Sequence, residues 1–222
     1  MPTSTVENYL KTIYMQQQRA GGKNVAMGKL AKAMDVVPGT ATAMIKTLAD
    51  SGLVDYKPRG GVSLSDKGET LALHILRRHR LLELFLVEVL GLDWTEVHDE
   101  AEELEHATSD KVLARIDDYL GHPDTDPHGD PIPPAKGAHA PVQLKSLADS
   151  ATQKKLVIAR VVDQGCEFLQ FLNQHGLRPG TRINILSYDR VVDAITVKPY
   201  KHEPVTLGMA AAGKILVEKP AT

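Results

Sequence analysis

Apolar residues at Val6, Tyr9, Leu10, Ile13 and Tyr14 recur in steps of three and four, which predicts an amphipathic helix. The run GGKN at 21–24 breaks it. Met27, Leu30, Ala31 and Met34 then mark a shorter helix, and DVVPGT reads as a turn. Pro38 suits the first turn of a third helix, which runs through TATAMIKTLAD and stops at Gly52. LVDYKPRGGVSLSDKG alternates in two short runs around KPRGG, the pattern of a small β-hairpin.

The period returns to helical in SDKGETLALHILRRHRLLELFLVEVLGL, one long helix that Ser65 can cap. Its apolar residues Leu71, Leu73, Ile75, Leu76, Leu81, Leu82, Leu84, Phe85 and Leu86 cover more than one stripe. Such a helix packs against several neighbours, and a partner chain is expected among them. DWTEVHDEAEELEHA follows with Trp94, Val97, Ala101 and Leu104 as its buried line, then SDKVLARIDDYLG, capped by Ser109 and closed by Gly121. After the Pro/Gly/Ala-rich PIPPAKGAHAP, the runs LVIARVV, TRINILSYD, AITVKPY and KILVEKP are strand-like, with CEFLQFLNQHG a helix between them. The alternation and the Gly/Pro turns predict a small β-barrel. The expected boundaries are 1–64, 65–133, a linker at 134–148, and 149–222.

Composition adds bounds. At 222 residues and 42% hydrophobic, the chain can bury a sizeable core. No apolar run reaches transmembrane length, and the N-terminus has no signal-peptide pattern. The single cysteine, Cys166, rules out an intramolecular disulfide framework and fits a reducing cytoplasm. The net charge of −2 hides an asymmetry. Residues 1–80 carry 12 Lys/Arg against 6 Asp/Glu, a net +6; residues 81–133 carry 2 against 15, a net −13; residues 134–222 carry 12 against 7, a net +5. A basic N-terminal third suits a polyanion, and an acidic middle suits a cation.

The helix–turn–helix–hairpin order is that of a winged-helix module. Its third helix begins at Pro38 and Gly39 and would present Thr40, Thr42, Ala43 and Lys46 to a DNA major groove. Lys57 and Arg59 in the hairpin could reach phosphates. The competing reading is a small helical subdomain with ordinary surface lysines.

EELEHATSD at 102–110 poses a different problem. Like charges at helical spacing repel, so the helix gains nothing from them unless solvent or a cation screens them. His79 and Glu83 lie four apart on one helix face; His98 and Glu102, then Glu102 and His106, repeat the spacing, and Glu105 is beside His106. Imidazole nitrogen with carboxylate oxygen is a ligand set for first-row divalent metals. Two other readings compete. Glu103-x-x-His106 matches half of the pattern of di-metal carboxylate enzymes, but no second copy is present. A metal-independent winged-helix regulator sensing a small organic ligand would leave the acidic helices merely solvated.

RRHRLLELFL…GLDWTEVHDEAEELEHATSD resembles the metal-binding and dimerisation region of the diphtheria-toxin-repressor family of iron- or manganese-dependent transcriptional repressors. VENYLKTIY is similar to the family's first helix, VVPGTATAMIKTLADSGLVDYKPRGGVSLSDKG to its winged helix, and DPHGDPIP to the segment after the dimerisation helices. The last third is similar, more weakly, to the family's SH3-like domain. The resemblance implies a mainly α chain: a winged helix, a helical metal-binding and dimerisation domain, and an SH3-like barrel. It implies a homodimer that represses metal-homeostasis genes by binding a double-stranded DNA operator. It also implies two metal sites per chain. One would use His79, Glu83 and His98, completed by Asp163 of the barrel, since Arg160 stands where iron-type members carry Glu. The other would use Glu102, Glu105, His106 and Asn8 of the first helix, with Asp126 where some manganese-type members have Cys. This oxygen-rich set, with neither Cys nor Met, favours Mn²⁺, with Fe²⁺ as the other candidate.

Overall fold

Helix α1 (Ser4–Arg19) starts where Thr3 leaves extended backbone and its hydroxyl accepts the Val6 amide. The structure is a computed structural model describing residues 3–135, 144–150 and 155–220. Residues 136–143, most of the expected linker, lie outside the described residues. The chain divides into two compact units, Met1–Arg78 and His79–Thr222.

In the first unit, α2 (Met27–Ala33) and α3 (Pro38–Asp50) follow α1. Between them the chain turns through Asp35, held at positive φ. Pro38 occupies the first turn of α3, where its missing N–H has no helical partner to lose. Strands β1 (Val54–Lys57) and β2 (Gly61–Leu64) pair antiparallel, Val54 opposite Leu64 and Lys57 opposite Gly61. Gly61 adopts φ +86°, and a Cβ there would stand 2.5 Å from the Val25 carbonyl oxygen. Tyr9, Leu10, Ile13, Leu30, Ile45, Leu48 and Val62 form one core, so the hairpin and the three helices fold as a single module.

Ser65 caps α4 (Asp66–Glu88): its hydroxyl accepts the Gly68 amide at 3.1 Å. This helix begins in the first unit and ends in the second. In the second unit, α5 (Val97–Glu105) and α6 (Asp110–Tyr119) close a core of Leu81, Leu82, Leu86, Val97, Ala101, Leu113 and Ile116. The helix expected over 93–107 is shorter. Asp93 Oδ1 accepts the Thr95 amide in a tight turn, so α5 starts only at Val97. Trp94 leaves the expected buried line and joins the barrel core, and Leu104 is 40% exposed.

The C-terminal part is a six-stranded antiparallel sheet of β3 (Lys145–Ser146), β4 (Lys155–Val161), β5 (Arg182–Asp189), β6 (Ala194–Pro199), β7 (Val205–Gly208) and β8 (Ile215–Glu218). Its order is β3-β8-β4-β5-β6-β7. Helix α7 (Cys166–Gln174) and the single turn α8 (Met209–Ala212) cover a second core with Leu147, Ile158, Leu169, Leu172, Ile183 and Val197. The expectation of a mainly α chain is corrected here: the architecture is mixed helix and sheet, because this last third is strand-rich. Among the described residues, no helix is long and apolar enough to cross a membrane.

Candidate metal centre

Helix α4 places His79 and Glu83 one turn apart, and α5 brings His98 over them. Their donor atoms form a nearly equilateral triangle. His79 Nε2 is 3.0 Å from Glu83 Oε1 and 3.1 Å from His98 Nδ1, and His98 Nδ1 is 3.1 Å from Glu83 Oε1. An octahedral ion with bonds of about 2.1 Å sets adjacent donors about 3 Å apart, so the three atoms match one face of such a shell. The other ring nitrogen of His79 is already engaged: Nδ1 lies 2.7 Å from Glu105 Oε2. Glu105 is fully buried and takes that N–H bond, which leaves the Nε2 lone pair for the triangle.

In the metal-free protein burial opposes ionisation of Glu83, but a protonated His79 and hydrogen bonds from neighbouring imidazoles hold its carboxyl well below the usual range; a bound ion would take the place of the proton on His79 Nε2. At an effective dielectric of about 20, charges about 4 Å apart interact by about 4 kcal/mol. That attraction offsets the cost of burying the carboxylate, which is the largest single influence on Glu83.

Behind Glu83 lies a group the sequence reading passed over. His128 is fully buried; its Nδ1 faces Glu83 Oε2 at 3.8 Å and its Nε2 lies 2.8 Å from the Trp94 carbonyl oxygen. Burial works against its charged form, but the facing carboxylates of Glu83 and Asp126 outweigh it and raise its pKa. Asp126 shares this pocket. Its Oδ1 accepts the amides of His128 and Asp130, and its carboxyl is pushed up to about 8 by burial and by the charges of Asp130 and Glu83. Arg80 offsets part of this from 3.6 Å. His128 lies in a loop without periodicity, so the only local signal was the turn-rich string DPHGDPIP.

The remaining expected ligands distribute differently. Glu102 and Glu105 form a second three-residue group with His79. His106 Nε2 stands 3.7 Å from Glu105 Oε1. Asp126 was expected beside Glu102, Glu105 and His106; the structure groups it instead with Glu83 and His128, because its loop folds under α4. Asp163 was expected beside His79, Glu83 and His98; it lies outside that group, with Lys214 Nζ at 2.6 Å from Oδ2 and the Gly165 amide at 3.0 Å from Oδ1. Its charge is neutralised within the barrel. Asn8 belongs to the first unit, where its Oδ1 is buried and makes no hydrogen bond.

The first unit also carries the predicted DNA-facing residues. Pro38, Gly39, Thr40, Ala43, Lys46, Lys57 and Arg59 are all exposed. Thr42 is half-buried, and its hydroxyl donates to the Pro38 carbonyl at 2.8 Å, which leaves its methyl and lone pairs for a partner. Arg59 sits at φ +64° at the hairpin tip, and Asn24 Nδ2 braces that tip by donating to the Gly60 carbonyl.

Three family models match the chain in order: the iron dependent repressor N-terminal DNA binding domain over 1–62, the iron dependent repressor metal binding and dimerisation domain over 65–134, and the FeoA domain over 145–219. The iron-dependent repressor IdeR of Mycobacterium tuberculosis is 30% identical over 227 residues, 97% of each chain. The diphtheria toxin repressor of Corynebacterium diphtheriae is 29% identical over 196 residues, 83% of this chain and 85% of that one. Among solved structures, a manganese-dependent transcriptional repressor in complex with manganese superposes with a TM-score of 0.85 at 39% identity, over 96% of this chain and 99% of that one. ScaR with bound Cd²⁺ gives 0.79 at 33%, over 98% and 100%. An exposed basic helix–turn–helix face in one unit and a His/Glu cluster in the other, in the order these models share, place the chain in the diphtheria-toxin-repressor family of metal-dependent DNA-binding transcriptional repressors, which are not enzymes.

Proposed function

We propose that this chain senses Mn²⁺, with Fe²⁺ as a weaker alternative, at two sites per chain, and that occupancy raises its affinity for a double-stranded operator of metal-homeostasis genes. The observation that carries the reading is the triangle of His79 Nε2, Glu83 Oε1 and His98 Nδ1, with edges of 3.0 to 3.1 Å. A bound divalent ion would supply positive charge to a region whose sequence carries a net −13 over 81–133. Glu105 orients His79, and His128 compensates Glu83 from behind. The second site draws on Glu102, Glu105 and His106, and the unsatisfied Oδ1 of Asn8 is a further candidate donor. Carboxylate and imidazole donors with no thiolate or thioether favour manganese over softer ions.

In this reading residues 1–64 read DNA, 65–133 bind metal and dimerise, and 149–222 form the accessory barrel. Pro38, Gly39, Thr40, Thr42, Ala43 and Lys46 face the groove, and Lys57 and Arg59 face phosphates. Dimerisation draws support from an apolar face that the described residues leave uncovered. Val112 is 51% and Tyr119 72% exposed, and they line an open groove of ≈ 530 Å³ with Phe85 and Ile116. A dimer would space its two recognition helices about 34 Å apart, or a multiple, to meet successive major grooves. The test is a Mn²⁺ titration that follows operator binding and sedimentation together. The expected result is a dimer whose operator affinity rises with Mn²⁺. Operator binding indifferent to metal, or a monomer at micromolar concentration with metal present, would overturn the reading.

A further inference from the structure

The loop 126–130 touches the metal centre with the His128 side chain and the barrel with its backbone and the Asp130 carboxylate. On one side, His128 Nδ1 faces Glu83 Oε2 at 3.8 Å. On the other, the His128 carbonyl accepts the Val161 amide of β4 at 2.9 Å. Gly129 adopts φ +81°, and a Cβ there would fall 2.0 Å from the Ala159 carbonyl oxygen, so β4 lies directly on this backbone. The register of β4 against β8 shifts between Ile158 and Arg160, at the point of contact. Asp130 clasps the barrel twice: Gln164 Nε2 donates to Oδ2 at 2.9 Å, and Arg160 Nη2 meets Oδ1. Arg80 of α4, next to His79, reaches both Asp126 and Asp130.

The loop is also internally rigid. Asp126 Oδ1 accepts two of its amides, and the Asp126 amide donates to the Asp130 carbonyl at 2.9 Å. Asp126, His128, Gly129 and Asp130 are all buried, so displacing His128 moves the whole loop.

We propose that this loop couples metal occupancy of His79, Glu83 and His98 to docking of the barrel, with His128 and Asp130 as positioning residues rather than ligands. The proposal rests on the metal reading above. It gives the barrel a role in this chain although Asp163 is held by Lys214 and Arg160 offers no ligand oxygen. An ion that fixes Glu83 fixes His128, and with it the seat of Val161. By linkage, a docked barrel must raise metal affinity by the same factor that metal raises docking, and couplings of this kind typically run from about fivefold upward.

The test uses the full chain with and without Mn²⁺, reading calorimetric affinity and hydrogen exchange of the segment 155–161. In the parent, Mn²⁺ slows exchange of that segment. In Asp130→Ala and in Arg160→Ala, Mn²⁺ still binds but about fivefold or more weakly, and the slowing is lost. Arg160→Lys, which restores a cation opposite Asp130, recovers part of both effects. Arg160 is a barrel residue and not one of the candidate ligands, so its variants keep the test open if Asp130→Ala fails to fold. Mn²⁺ binding to the parent with no change in exchange overturns the coupling, as does a folded Arg160→Ala that keeps both effects. A parent that takes up no Mn²⁺ overturns the metal reading itself.

Discussion

Glu105 Oε2 lies 2.7 Å from His79 Nδ1, with both side chains buried. The carboxylate fixes which ring nitrogen carries the proton and so aims Nε2 at Glu83 and His98. Glu105→Gln keeps the shape but weakens that hold, since an amide is a poorer acceptor than a carboxylate and can present its NH₂ instead. The expected result is a roughly 10- to 100-fold loss of Mn²⁺ affinity, the usual cost of removing such a partner. Calorimetry checks it. A loss of one equivalent of bound Mn²⁺, with the rest bound normally, would make Glu105 a ligand alone and not an orienting group.

Asn8 is the weakest donor of the expected set, since its amide offers only a neutral oxygen, and that oxygen is buried without a hydrogen bond. Asn8→Asp adds a charged ligand if residue 8 coordinates. The Mn²⁺ midpoint for operator binding should then fall, by about tenfold for each 1.4 kcal/mol the charge contributes. An unchanged midpoint removes Asn8 from the ligand set.

The metal-free protein should lose stability as pH rises through neutrality. The Asp126 carboxyl is pushed up to about 8, so from about pH 4 the unfolded chain gives up this proton while the native chain keeps it. Stability therefore falls across roughly pH 4 to 8 and levels off above. His128 acts in the same direction. Its pKa is raised, so its contribution is complete below the ordinary histidine value of about 6.5 and is lost as pH rises through the folded value. Asp126→Asn should flatten the decline and raise the melting temperature at pH 8. Thermal melts in chelator between pH 5 and 9 measure both, and parallel parent and variant curves would contradict the assignment.

Lys46 and Arg59 are exposed on the helix and the hairpin tip of the first unit. As phosphate contacts they should act on every DNA sequence alike. Lys46→Ala or Arg59→Ala should weaken binding generally and reduce the slope of log affinity against log salt by about one. Thr40→Ala should instead change preference between sequences, because a hydroxyl near the helix start can meet base edges. Binding measured at several salt concentrations separates the two. Binding by Lys46→Ala that matches the parent in affinity and in salt slope would place α3 elsewhere.

The elements of the first unit were legible because each has a local cause. Pro38 opens α3, Ser65 caps α4, and the alternation around KPRGG makes a hairpin whatever the rest of the chain does. The His79–Glu83 pairing was legible for the same reason, since four residues on a helix is a distance fixed by the backbone. Where a side chain's partner is set by packing, the reading went astray. Trp94 has helical spacing to Val97 and Ala101, yet the Asp93 turn releases it into the barrel core.

The sequence by itself therefore determined the order of the modules, their signs of charge, and the His/Glu pair four residues apart on α4. Only the tertiary structure decided which carboxylates serve which histidines. Glu105 turns to His79, Asp126 retreats behind Glu83 with His128, and Asp163 is taken by Lys214. The reason is physical: a carboxylate's role depends on which charges lie within about 4 Å of it, where the interaction is worth several kcal/mol. The loop that carries His128 has no period from which those distances could be read.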